Sequence, residues 1–104
     1  MNPRIRAGEK VQWKSQAQGG VKQKSGTVIA FVPVMADARR LAPAAFAEGR
    51  RAQRQFDLAS AAVARYVVEV PRVHARTGKQ LHPFYYAPLA SVLESQNPDA
   101  LRTG

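Results

Sequence analysis

The 104-residue chain has no cysteine, only seven acidic residues, a single tryptophan and no long hydrophobic run. Without cysteine, disulfides and thiolate metal sites are excluded, which suits a reducing cytosol, the compartment expected here. No stretch approaches the roughly 18 apolar residues of a membrane-spanning helix. The opening MNPRIRAGEKVQW lacks the apolar core of a secretory signal, so neither export nor a membrane partner is expected. The carboxylates Glu9, Asp37, Glu48, Asp57, Glu69, Glu94 and Asp99 are scattered singly, with no pair suited to acid–base work. The serines lack a nucleophile elbow, and QGGVKQKSG lacks the spacing of a phosphate-binding loop. His74 and His82 stand alone, short of the three or four ligands a metal needs. No catalytic residue, metal or cofactor is therefore expected.

Positive charge is what the chain does have. Sixteen Lys and Arg against seven Asp and Glu give a formal net charge of +9. Such an excess attracts polyanions, nucleic acid before anionic membrane. It is also uneven: residues 1–24 hold six basic residues against one acidic and 65–82 four against one, whereas 83–104 hold one against two. With 45% hydrophobic and 22% charged residues, the composition is that of a globular chain, and the length suits one domain, expected over 1–96 with a loose tail at 97–104.

Strand signals recur along it. In GEKVQWKS (8–15), Val11 and Trp13 alternate with Lys10, Gln12 and Lys14, the period of a half-buried strand. QAQGGVKQKS (16–25) reads as a flexible basic loop. GTVIAFVPV (26–34) and RYVVEV (65–70) are rich in β-branched residues and each meets a proline. Between them, residues 35–64 form an alanine- and arginine-rich insertion. Pro43 is placed to start a helix there, and Gly49 weakens it. PRVHARTGKQLH (71–82) carries a Thr-Gly-Lys turn signal and reads as a hairpin connection. Pro83 opens a fourth strand, Phe84 to Ala87, and Pro88 starts a helical turn with Leu89, Val92 and Leu93 on one face. The fold class expected is mainly β: a small antiparallel barrel of the SH3-like kind, with four or five strands, a helical insertion and a short C-terminal helical turn.

The order GEKVQWKS, GTVIAF, RYVVEV, YYAPLASVLE resembles the SH3-like barrel of the plasmid-borne type II dihydrofolate reductases over about half the chain, and KOW and Tudor modules look similar. The resemblance implies the barrel. In that family a Val-Gln-Ile-Tyr stretch lines a pore between four subunits, and the matching positions are Pro83, Phe84, Tyr85 and Tyr86, of which only the tyrosine is kept. A shared fold does not carry a shared function.

The leading expectation is a non-enzymatic nucleic-acid-binding module, an accessory or regulatory factor of a bacterium or mobile element, for DNA or RNA. Lys14, Lys22 and Lys24 are expected to join Arg72, Arg76 and Lys79 in one stripe, extended by Arg50, Arg51 and Arg54, to hold phosphates. Alternation puts Phe84 and Tyr86 on one side of their strand and Tyr85 on the other, so Tyr85 is expected near the surface. Tyr85, or Trp13 if it lies outside the core, would stack on bases. A module that seats a peptide or acidic protein partner in an aromatic groove is the alternative, and a tetrameric type II-like reductase a third.

Overall fold

The computed structural model describes residues 4–17, 20–49, 51–56 and 59–96. Five antiparallel strands dominate: β1 (Lys10–Ala17), β2 (Gly20–Val32), β3 (Arg65–Val73), β4 (Gln80–Tyr86) and β5 (Glu94–Ser95), hydrogen-bonded in the order β4-β3-β2-β1-β5. The sheet does not close, because β4 and β5 are its two edges and do not pair. It is nonetheless strongly curled. In a flat sheet β1 and β4 would lie about 14 Å apart, three strand spacings, yet the rings of Trp13 and Tyr86 meet at 5.7 Å between centroids.

Gly26 makes part of this curl possible. A β-carbon there would come within 2.5 Å of the Glu69 carbonyl oxygen and 2.8 Å of a Val68 methyl, so only glycine lets β3 approach β2 so closely. A bulge at Ile29 then reverses the inward direction along β2: Val28 pairs with Val68, and Ala30 with Val67. One strand therefore feeds two cores. On the concave face Ile5, Val11, Trp13, Val28, Tyr66, Val68 and Leu93 are buried together; on the other face Ala30, Val32, Val67 and Tyr85 meet Ala38, Ala42 and Ala45 of the insertion. The amino-terminal segment closes the first core, the Ile5 N–H donating to the Tyr66 hydroxyl at 3.2 Å and the Arg4 guanidinium to the carbonyls of Ala90 and Leu93.

The structure corrects the sequence reading in four places. Residues expected as a loop at 16–25 largely extend β1 and β2 into one long hairpin. β3 runs through Pro71, which sits at a bulge between Val70 and Arg72, and β4 begins three residues before Pro83. As β4 is an edge strand, the missing proline N–H costs no ladder bond. The insertion is not one helix but a single α-turn, α1 (Ala38–Leu41), followed by two 3₁₀ turns, Pro43–Phe46 and Arg51–Gln53. Pro43 does occupy a first turn, and Gly49 adopts a positive φ of 82° that ends the segment. The turn after Pro88 is 3₁₀ (Ala90–Val92), with Leu93 buried but Leu89 and Val92 each 44% exposed. The expected tail, 97–104, lies outside the described residues. Among the described residues no helix is long and apolar enough to cross a membrane.

Asp37 caps α1, accepting from the Arg39 N–H at 2.9 Å and pairing with its guanidinium at 2.9 Å. The Arg39 side-chain hydrogen bond, with its backbone partner, holds the Asp37 carboxyl below the usual carboxylate range.

Candidate nucleic-acid interface

Antiparallel order decides where the cations go. β2 begins where β3 ends, so the β1–β2 hairpin and the β3–β4 hairpin leave the sheet at the same end, while the insertion joins the opposite ends of β2 and β3. Lys14, Lys22 and Lys24 on the first hairpin and Arg72, Arg76 and Lys79 on the second thus share one end, and residues 13–24 and 71–82 contain no acidic residue to offset them.

Within that end the six are not equivalent. Ser15 pairs with Lys22 and Trp13 with Lys24, which puts both lysines on the concave face; Lys14 pairs with Gln23 and faces the other way. The Lys24 ammonium lies 4.7 Å from the centroid of the Tyr86 ring and donates to its hydroxyl at 3.4 Å. The Arg72 guanidinium lies 4.0 Å from the Phe84 centroid and its Nε donates to the His82 carbonyl at 2.7 Å. Phe84 and Tyr86 meet edge to face at 6.2 Å, so Trp13, Tyr86 and Phe84 form a row of rings flanked by two oriented cations. Arg76 and Lys79 are exposed in the tight turn of the second hairpin. There Gly78 takes a φ of 71°, and the His74 ring accepts from the N–H groups of Arg76 at 3.3 Å and Thr77 at 3.4 Å.

Other expected site residues lie elsewhere. Arg51 and Arg54 belong to the insertion, which runs beside β4 at Tyr85, level with the middle of the sheet rather than with the two hairpin ends. Arg54 is occupied there, its guanidinium 4.4 Å from the Phe46 ring and donating to the Ala45 carbonyl. Arg50 lies outside the described residues. Tyr85 is 5% exposed rather than superficial. It does face away from Phe84 and Tyr86, as alternation requires, but the insertion covers that face: the Gln55 N–H donates to its carbonyl at 2.7 Å, and its ring joins the alanines of α1 and the following turn. Trp13 is likewise 5% exposed, in the concave core. Neither ring presents a face to a base.

Sequence reading passed over Phe84 and Tyr86 as partners for cations, although their shared side was legible from alternation. It also passed over Val21, which is 59% exposed near the tip of the first hairpin. A lone apolar residue after Gly19-Gly20, with only polar neighbours, was the available signal.

Comparison with protein-family models, curated proteins and solved structures finds no match for the chain.

Proposed function

We propose that the protein is a non-enzymatic nucleic-acid-binding module whose paired hairpins hold the phosphate backbone. The observation that carries this reading is the gathering of six cations at one end of the sheet, in two segments, 13–24 and 71–82, that contain no carboxylate. Aromatic rings set the direction of two of them, Lys24 and Arg72, so their charged groups need little further ordering when a phosphate arrives. Phosphate contacts of this kind give affinity with little choice of sequence. Stacking contributes less than the aromatic count suggests, because Trp13 and Tyr85 are buried and Phe84 and Tyr86 already carry cations. The unclosed sheet is compatible with a distorted relative of the small SH3-like barrels. At Phe84, where the reductase pattern has an amide, a ring under Arg72 offers no hydrogen bond to a ligand.

Titration of fluorescein-labelled DNA and RNA of mixed sequence tests the proposal. Binding at about 50 mM salt that weakens steeply toward 200 mM is expected, and no binding of either polymer at the lower concentration would remove it.

A further inference from the structure

Resting on that reading, we propose that the preferred ligand is a single strand and that the Arg72 guanidinium is the surface on which one of its bases stacks. Arg72 lies just past a register shift: Val70 pairs with Phe84 and Arg72 with Leu81, so β4 advances three residues while β3 advances two. The Arg72 side chain comes to lie over Phe84, its guanidinium carbon 4.0 Å from the ring centroid, and its Nε donates to the His82 carbonyl at 2.7 Å. Ring and carbonyl together hold the planar group in one orientation. Phe84 covers one of its faces. The bond to His82 lies at the surface of the molecule, so the other face is turned to solvent, and both Nη groups stay available as donors.

This group differs from the other cations at the same end. Lys14, Lys22 and Lys79 are exposed point charges, suited to phosphate. Lys24 is held over Tyr86, but an ammonium has no plane. A guanidinium is planar and weakly hydrated, and nucleobases stack on it as they do on aromatic rings. Because Arg72 is already ordered, little freedom is lost when a base arrives. A duplex shows only base edges in its grooves, whereas a single strand or an unpaired loop offers the base face. Lys24 rides on the neighbouring ring, the Tyr86 and Phe84 centroids being 6.2 Å apart, where it and the Arg72 Nη groups meet the phosphates beside the stacked base. Every base has a flat face and stacking does not depend on the sugar, so DNA and RNA strands of any sequence qualify. Duplexes still bind through the hairpin cations, more weakly.

The test titrates fluorescein-labelled strands of about 12 nucleotides, within the site sizes of small single-strand binders, at about 0.1 M salt. The ligands are oligothymidine, an abasic strand with the same phosphates, oligouridine and a DNA duplex. Wild-type protein is compared with Arg72→Lys, which keeps the charge and removes the plane, and Trp13 fluorescence verifies that the variant is folded. Wild type should bind oligothymidine at least about fivefold tighter than the abasic strand, the lower end of what one stacked base contributes, and tighter than the duplex. Arg72→Lys should lose that preference while binding the abasic strand as wild type does. A single 2-aminopurine placed in oligothymidine should be quenched on binding wild type, a readout that needs no variant. The tighter of oligothymidine and oligouridine separates DNA from RNA as the source of the strand. Equal binding of abasic and base-bearing strands by wild type, a preference that survives in Arg72→Lys, or unquenched 2-aminopurine would overturn the stacking inference while leaving nucleic-acid binding in place. If no strand and no duplex binds, both readings fall.

Discussion

Gly26 and Arg72 show how single residues set the geometry of the cationic end. At Gly26 a methyl group would collide with the main chain of β3 at Glu69, and backbone yields less readily than a flexible side chain. Gly26→Ala should lower stability by about 1–3 kcal/mol, the usual range for overpacking, measured by urea unfolding followed through Trp13. Arg72 combines a planar contact with Phe84 and a directed bond to the His82 carbonyl, neither of which an ammonium reproduces in that geometry. Arg72→Lys keeps the charge and should still cost about 1 kcal/mol, visible in the same unfolding curve. A substitution without effect would mean that the ring does not position the guanidinium. Tyr85 teaches the complementary lesson. Its strand face was legible from alternation, but whether that face was covered depended on Ala38, Ala42 and Ala45 folding back over it, a long-range contact that no local pattern encodes.

At the scale of elements, legibility followed burial. β1 up to Trp13, the distal part of β2 and the start of β3 alternate or cluster apolar residues because a core holds them, and those strands were readable. The ribbon from Gly20 to Ser25 is exposed on most of its residues, so nothing in its sequence has period two, and it reads as a loop. The insertion failed as a helix for a different reason: Pro43 and Gly49 break it into turns, and it holds the sheet through three buried alanines with Phe46 and Phe56 packed beside them rather than through a long apolar stripe on one helix. In α1, Asp37 has a lowered pKa, so its charge contributes stability above the ordinary carboxylate value and loses it as pH falls through the lowered one. Asn also caps helices. An Asp37→Asn variant should therefore unfold more easily than wild type at neutral pH, with the gap closing below 3.8. The β4 edge has its own protection. The Tyr85 carbonyl points away from β3 toward Gln55, and Pro83, unpaired where the β3–β4 register shifts, has no N–H to offer a further strand. Pro83→Thr adds a backbone donor to the edge strand, and sedimentation velocity should show concentration-dependent self-association absent from wild type; a persistently unchanged sedimentation coefficient would show that the edge is protected by other means.

The whole molecule has two unlike ends. Lys14, Lys22, Lys24, Arg72, Arg76 and Lys79 occupy one, and exposed Val34, Met35, Leu41, Val63 and Leu89 cluster around the insertion and the start of β3 at the other. The charge imbalance was plain from composition, and its concentration in two segments was plain from counting. That those segments meet follows only from strand order, whereas Arg51 and Arg54 come with the insertion, beside the middle of β4. The central claim is that position, not total charge, governs binding. Fluorescence anisotropy of a labelled DNA duplex, measured across salt concentration, separates the two with a pair of variants that each remove two positive charges. Lys22→Gln/Lys79→Gln takes one cation from each hairpin, and Arg40→Gln/Arg51→Gln takes two from the insertion. The first should weaken binding and flatten the slope of log affinity against log salt by about 1.8, two lost phosphate contacts at about 0.9 each, while the second leaves both nearly unchanged. Equal effects from the two variants, or a larger one from the insertion pair, would contradict the account.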